Sequence, residues 1–263
     1  TASGEQAHSV YQLYLDSTYI VTSVIETDGP FTLVADEPTA DHKPPVIRGG
    51  LTADGGTPVG LFRHFDDATM KNIWMSGVNP TGDGPINWWF IDVQGIGTSI
   101  TYEGCIFEYP YTWWTTILTN GSRNTWRFID VYAKNIGNPG MQWNGALFTS
   151  GGADTIIARN STYFNIGCYA FTAGANLYTE CENNTFVNTV AHQFQINTPV
   201  EAHVNNNIFY NCYSYSGGPM EIAGHPDKDI HGIIHVFEID STTRDSLHYG
   251  IQGYDPNGDG KFT

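Results

Sequence analysis

Positive charge is scarce in this sequence. The 263 residues contain 11 Lys and Arg against 27 Asp and Glu, for a net charge of −16. Nucleic acids and anionic membrane surfaces attract proteins through clustered cations, so the composition argues against both as partners. An acidic surface suits an extracellular, calcium-containing environment, which predicts a secreted or cell-surface protein.

Long apolar runs and helical periodicity are also missing. No run approaches the roughly 18 apolar residues of a membrane-spanning helix, so we expect no membrane insertion. Apolar residues do not recur at a 3.6-residue period over any helix-length window. Instead, short alternating runs are broken by Gly, Asn, Ser and Thr, a pattern that predicts strands and turns. The sequence is therefore expected to be all-β.

Cysteine is rare, and the four present show no metal-site spacing. They are Cys105, Cys168, Cys181 and Cys212, without a Cys-x-x-Cys or Cys–His pattern. No two occupy the same position of the repeat described below. Buried free thiols are therefore favoured over disulfides between neighbouring coils.

A repeat organises the centre of the chain. Tyr163, Phe186 and Phe209 follow one another at intervals of 23 residues, and an asparagine stands two residues after each. A fixed period of this length, with aromatic residues in register, predicts a solenoid. About 23 residues allow three short strands per coil, and the asparagine column is expected to face inward as a ladder.

The repeat continues backwards with looser spacing. Tyr132, Phe107 and Trp74 are the earlier anchors, which gives about seven coils with loops that absorb the extra residues. We expect a parallel β-helix over residues 1–221, with an N-terminal cap within residues 1–15. Residues 222–263 break the period and are expected to form an irregular C-terminal extension.

The end of the chain contains part of a calcium-loop pattern. Asp255, Asn257 and Asp259 precede Gly260, and Lys261 offers its carbonyl oxygen. Three oxygen-bearing side chains at this spacing surround one cation in D-x-N-x-D-G loops, so calcium is the expected cofactor. The acid expected at position 12 is missing, because the sequence ends at position 9. The alternative is a polar, disordered end.

The repeats ENNTFVNT and NNNIFYNC, the asparagine column and the opening coil resemble the pectate-lyase-like superfamily. They are most similar to secreted right-handed β-helix proteins of Bacteroidota-type bacteria. The resemblance covers roughly residues 15–220 and implies a right-handed parallel β-helix, or β-solenoid. It leaves the activity open, because such repeats occur in lyases, hydrolases, adhesins and passive stalks.

Two columns of the repeat are expected to point outward, four and six residues before each anchor. They contain the candidate catalytic residues Glu103, Arg159, Glu180, Glu182 and His203, together with Trp126. In a carbohydrate-active protein the carboxylates would bind calcium or transfer protons, Arg159 would bind a uronate carboxylate, and Trp126 would stack on a sugar. The alternative is a solvated sheet face with scattered charges. Arg127 falls on a column expected to point inward.

Aromatic residues in or beside the loops form a second candidate surface. They are Trp88, Trp89, Tyr111, Trp113, Trp114 and Trp143. Grouped on one flank, they would make a sugar-stacking platform or a protein contact patch. Alternatively, they pack over the wall of the solenoid.

Two functions remain open from the sequence. The first is a non-catalytic solenoid scaffold that is adhesive, fibre-forming or glycan-contacting, with self-association or an extracellular polysaccharide as partner. The second is a polysaccharide lyase or glycoside hydrolase acting on an extracellular glycan. The sequence contains no GxSxG, HExxH, P-loop or GxGxxG motif, nor the paired-aspartate signature of β-helix hydrolases, which favours the first.

Overall fold

The chain winds into stacked parallel strands in a computed structural model. The structure describes residues 6–78, 89–109, 115–119, 121–136, 146–150, 153–166, 170–189, 194–210, 212 and 234–237. None of these residues is helical. Every strand pairing among them is parallel, which confirms the predicted all-β parallel β-helix.

The strands form three faces, named here in the order in which each coil visits them. Face 1 contains β1 (Val10–Leu13), β4 (Phe31–Ala35), β7 (Ala68–Lys71), β10 (Ser99–Glu103), β13 (Asn124–Ile129) and β16 (Ala153–Arg159). Face 2 contains β2 (Thr18–Val21), β5 (Val46–Gly49), β8 (Trp74–Ser76), β11 (Ile106–Glu108), β14 (Tyr132–Ile136), β17 (Thr162–Ile166), β19 (Thr185–Val187) and β21 (Ile208–Tyr210). Face 3 contains β3 (Ile25–Thr27), β6 (Phe62–His64), β9 (Ile91–Val93), β12 (Thr115–Thr119), β15 (Ala146–Ser150) and β22 (Ile234–Phe237).

Two long strands pass from face 3 to face 1 of the next coil. They are β18 (Phe171–Glu182) and β20 (Phe194–Asn205). The start of β18 pairs with β15, and its end pairs with β16. Face 2 stacks eight strands within the described residues, so the estimate of about seven coils is not confirmed.

A single left-handed residue makes the sharp corner between faces 1 and 2. In six successive coils this residue has φ between 53° and 60°. The six are Asn72, Gly104, Asp130, Asn160, Asn183 and Asn206. Asparagine, aspartate and glycine tolerate this conformation best. The backbone N–H of each of the first five donates to the next coil, as from Asn160 to Glu182 O at 3.1 Å, so the corner also joins the stack.

The anchor column lies inside the solenoid on face 2. Tyr163 pairs with Phe186, and Phe186 with Phe209, as the 23-residue period predicts. Their rings stack, with centroids 4.8 Å and 5.1 Å apart.

Two of the anchors predicted for the earlier coils lie one residue before the inward position. Phe107 pairs with Ala133 and Met75, so Tyr132 and Trp74 are wrong as inward anchors. Both instead lie on the outer surface, because neighbouring strand residues point to opposite sides. The small Ala133 carried no aromatic signal that could mark the inward position.

Asparagines form two ladders, and the predicted one is on the outside. Asn188 Nδ2 donates to Asn165 Oδ1 at 2.9 Å, and Asn165 is exposed, so its predicted inward orientation is wrong. The inward ladder joins Asn184 Nδ2 to Asn207 Oδ1 at 3.0 Å. Asn211, the third member of the predicted column, lies outside the described residues.

The first coil begins directly with a strand of the stack. Val10–Leu13 pairs with Phe31–Ala35 on face 1, and Tyr11 and Tyr19 are only partly buried against the core. At the other end, Ile234–Phe237 of the predicted extension pairs with β20. The predicted cap and the division at 221/222 stay predictions.

The described cysteines are free thiols. Cys105 and Cys181 are buried and Cys212 is half-buried, as expected, whereas Cys168 lies outside the described residues. Burial raises the pKa of Cys105 to about 12. Cys105 and Cys181 are therefore packing groups in the core.

Phe186→Ala should lower the free energy of unfolding by about 3–5 kcal/mol, because it leaves a cavity between Tyr163 and Phe209. Urea unfolding measures the loss. Phe164→Ala is the control, since Phe164 lies on the outer side of β17 and is half-buried. Phe164→Ala should lower the free energy of unfolding by less than half as much as Phe186→Ala. Equal losses in the two variants would show that Phe186 is not a core residue.

Asn184→Ala should lower the free energy of unfolding, measured in urea, by about 2–4 kcal/mol, because it leaves buried backbone groups unpaired. Asn184 Oδ1 accepts from Ser161 N at 2.9 Å, and its Nδ2 donates to Ala158 O at 2.9 Å. Asn183→Gly is the matched control, since Asn183 is an exposed corner residue whose conformation glycine adopts readily. A loss for Asn183→Gly as large as that for Asn184→Ala would contradict the inward ladder.

Candidate functional site

The candidate catalytic residues lie together on the outer surface of face 1. Thr101, Arg127, Ile157, Glu180 and His203 share one column by strand register. Glu103, Ile129, Arg159, Glu182 and Asn205 share the next column. These two columns, with Lys71 beside Glu103, are called the polar stripe below.

Trp126 does not belong to the polar stripe. Its side chain is completely buried and stacks on Phe128, so its predicted outward position is wrong. The error follows from the displaced anchor at Tyr132, since a one-residue slip reverses every side chain of a strand. Arg127 takes the outward position, and its predicted inward position is wrong as well.

The centre of the polar stripe is a bidentate ion pair. Arg159 Nε and Nη2 donate to the two carboxylate oxygens of Glu180, with an Nη2–Oε2 distance of 2.7 Å. Tyr178 OH also donates to Glu180 Oε2 at 2.9 Å. Although Glu180 occupies an outward position, its side chain is only 5% exposed, against 47% for Arg159.

These contacts fix the charge of each partner. The hydrogen bonds from Arg159 lower the pKa of Glu180 below its ordinary value of 4.5, in spite of partial burial. The same bonds raise the pKa of Arg159. Donation to the Glu180 carboxylate raises the pKa of Tyr178. Near neutral pH the pair is therefore a fixed carboxylate and a fixed guanidinium.

Two further contacts extend the network over the last coils. Asn205 Nδ2 donates to Glu182 Oε1 at 3.0 Å. His203 Nε2 lies 2.6 Å from Glu201 Oε1, and the His203 ring lies 5.6 Å from the ring of Tyr178. Glu201 and His203 are both exposed. The histidine is thus oriented by a carboxylate at the open surface.

The earlier coils carry separate contacts. Lys71 Nζ lies 2.6 Å from Glu103 Oε1, so Glu103 is joined to coil 3 rather than to the Arg159–Glu180 centre. Arg127 Nη1 donates to Ser99 Oγ at 2.8 Å. The predicted residues therefore share one face, but they divide into an Arg159–Glu180 group and a Lys71–Glu103 pair.

The chemistry available to the polar stripe follows from this pairing. A general acid needs a proton that it can release near the working pH, and a general base needs a free lone pair. Glu180 has no proton to release while Arg159 holds it ionised, and its carboxylate already accepts three hydrogen bonds from Arg159 and Tyr178. The polar stripe offers instead a row of hydrogen-bond donors and acceptors at the strand spacing of about 4.8 Å.

Most of the predicted aromatic surface falls on residues outside the described ranges. Trp88, Tyr111, Trp113, Trp114 and Trp143 lie outside the described residues. Trp89 is 8% exposed, and the guanidinium carbon of Arg63 lies 5.4 Å from its ring centroid. Trp89 therefore packs on the solenoid wall, as the alternative interpretation predicted.

Face 3 carries an ion-pair cluster that sequence reasoning missed. Arg63 Nε donates to Asp92 Oδ2 at 2.9 Å, and Arg63 Nη1 to Glu26 Oε1 at 2.9 Å. The Asp92 side chain is only 3% exposed and also accepts from Gln94 Nε2 at 2.8 Å. Only an alignment of the irregular first three coils could have found it, because the acids lie 37 and 29 residues from Arg63.

The described residues contain neither a candidate metal site nor a membrane-spanning helix. Among the described residues, no group of three or more His, Cys, Asp or Glu side chains could hold a metal ion. The predicted calcium ligands Asp255, Asn257, Asp259 and Lys261 lie outside that part of the chain. No helix long and apolar enough to cross a membrane occurs in the described ranges.

No model of a known protein family matches the chain, and no curated protein sequence matches it significantly. The parallel β-helix therefore stands on the strand register alone. The resemblance to the pectate-lyase-like superfamily remains a prediction.

Stability should fall in acid because of Glu180. A lowered pKa in the folded protein stabilises the fold above the unfolded value, and this stabilisation is lost as the pH falls from about 4.5 through the folded pKa. Glu180→Gln should therefore flatten the decline in urea midpoint between about pH 5 and pH 3. Arg159→Gln removes the guanidinium that lowers the pKa of Glu180, so it should flatten the decline as well. Equal slopes in wild type and Glu180→Gln would contradict the pairing.

Proposed function

We propose that the protein is a non-catalytic β-solenoid scaffold, secreted or displayed at a cell surface, that contacts extracellular glycans through the polar stripe. The observation that carries the proposal is the bidentate Arg159–Glu180 pair. It holds Arg159 and Glu180 in fixed charge states, which supports a role in binding over one in proton transfer.

A glycan suits this surface because hydroxyl groups both donate and accept hydrogen bonds. The exposed side of the polar stripe offers Glu182, Asn205 and the free side of the Arg159 guanidinium. The stacked coils hold these groups in place without further ordering, which reduces the entropic cost of binding. The net charge of −16 favours solubility outside the cell.

Calcium and self-association belong to the same proposal. The C-terminal residues Asp255, Asn257, Asp259 and Lys261 would bind calcium in the manner of an incomplete D-x-N-x-D-G loop. Within the described residues, the first-coil strands β1, β2 and β3 pair on one side only, and a strand edge of this kind can pair with another chain. Adhesive or fibre-forming assembly would use these edges.

The second candidate is a polysaccharide lyase or glycoside hydrolase. One contact favours it: His203 lies 2.6 Å from Glu201 on the exposed surface. A carboxylate that orients a histidine is a common arrangement for a general base. Glu103, Arg159, Glu180 and Glu182 would then position the sugar.

A binding assay and an activity screen separate the two candidates. Wild-type protein is tested by affinity electrophoresis on uronate-containing and neutral polysaccharides. The same polysaccharides are assayed for unsaturated products by absorbance and for new reducing ends. We expect retardation by at least one polysaccharide and no product.

Variants connect binding to the polar stripe. Arg159→Ala and Glu182→Gln should each weaken retardation about tenfold, as the loss of a charge-assisted hydrogen bond does. Lys43 is an exposed cation on a loop outside the polar stripe, so Lys43→Gln should bind like wild type. If wild-type protein cleaves a polysaccharide and His203→Ala abolishes that activity, the enzyme hypothesis is correct and the scaffold hypothesis is wrong.

A further inference from the structure

Face 2 brings three hydrogen-bond donors together near the second and third coils. Arg48 of β5 pairs in register with Ser76 of β8, and Trp74 pairs with Val46. The inward residues between them are Ile47 and Met75, which are buried. Arg48, Trp74 and Ser76 therefore all lie on the outer side of two neighbouring strands.

Two of these donors are buried and have no acceptor among the described residues. Arg48 Nε and Trp74 Nε1 have almost no accessible surface, and neither has a hydrogen-bond partner in that part of the chain. Ser76 is 4% exposed, and its Oγ accepts from Val78 N, so its hydroxyl proton is free to donate. Burying a donor without an acceptor is unfavourable, so native proteins rarely keep two such donors side by side.

The acid that pairs in register with Ser76 already has a partner. Glu108 follows Ser76 in the same outer column, and its carboxylate lies 3.0 Å from Lys134 Nζ. Lys134 Nζ also lies 5.2 Å from the ring centroid of Trp74. The charge of Glu108 is thus balanced by Lys134, and Glu108 is not the partner of the three donors.

Arg48 differs from most described cations of this acidic chain. Arg63, Lys71, Arg123, Lys134 and Arg159 each form an ion pair with a carboxylate. No ion pair or hydrogen bond of the Arg48 side chain occurs in the described part of the chain. Its charge is therefore available to an acceptor from outside.

We infer that Arg48, Trp74 Nε1 and Ser76 Oγ form a binding site for an oxyanion, either a carboxylate or a sulfate or phosphate group. All three side chains donate hydrogen bonds, and the oxygens of an oxyanion accept several hydrogen bonds at once. The site lies on face 2 and is independent of the proposed glycan contact on face 1. It would attach the solenoid to an anionic group of a ligand or partner.

Nuclear magnetic resonance can observe this site directly. The indole N–H signal of Trp74 is identified as the one missing from Trp74→Phe, a variant that keeps an aromatic ring beneath Lys134. Wild-type protein is titrated with sodium sulfate and, separately, sodium acetate, with sodium chloride holding the ionic strength constant. We expect a saturable downfield shift of the Trp74 signal, and the stronger of the two anions distinguishes tetrahedral from planar ligands.

The variants decide whether Arg48 is responsible. Arg48→Gln should weaken the response at least about tenfold, and Lys43→Gln, which removes the same charge elsewhere, should leave it unchanged. Arg48→Lys keeps the charge but loses the planar fork, so it should bind less tightly than wild type and more tightly than Arg48→Gln. It also serves as the test if Arg48→Gln does not fold. No saturable shift, an equal shift with chloride alone, or an unchanged response in both Arg48 variants would mean that ordered water satisfies these donors, and would overturn the inference.

Discussion

The register between successive coils is the constraint on which the rest of the structure depends. Each strand pairs in parallel with its counterpart, and the left-handed corner residue adds a backbone hydrogen bond to the next coil. Because side chains alternate between the two sides of a strand, register decides which residues form the core and which reach solvent. Ala133 and Arg127 illustrate this, since a shift of one residue exchanges core and surface along β13 and β14.

Stacking of the coils also produces two stabilising interactions in the interior, aromatic packing and buried amide hydrogen bonds. Aromatic rings such as Tyr163 and Phe186 lie above one another at contact distance, while Asn184 and Asn207 satisfy buried backbone groups. Rings provide apolar burial, and amides prevent the tight corners from leaving unpaired polar atoms. The ring column and the inward asparagine ladder run side by side in the last described coils, where Asn184 stands two residues before Phe186.

The outer faces differ in how their charges are satisfied. On face 1, Arg159 and Glu180 neutralise each other, which makes the polar stripe a fixed pattern of donors and acceptors. On face 2, Arg48 Nε and Trp74 Nε1 have no acceptor among the described residues, and Glu108 is paired with Lys134. The charges of the Arg159–Glu180 pair therefore balance each other within face 1, whereas the charge of Arg48 is not balanced by a described carboxylate.

The sequence by itself determined the β-helix and the register of its last three coils, because a strict 23-residue interval left no loop to blur the alignment of Tyr163, Phe186 and Phe209. It also brought Arg159, Glu180 and Glu182 to one face. Tertiary structure alone decided that Trp126 is buried, that the Asn165 ladder faces outward, and that Arg63 meets Asp92. Irregular loops hide the register of the early coils, and only backbone pairing between distant segments fixes it.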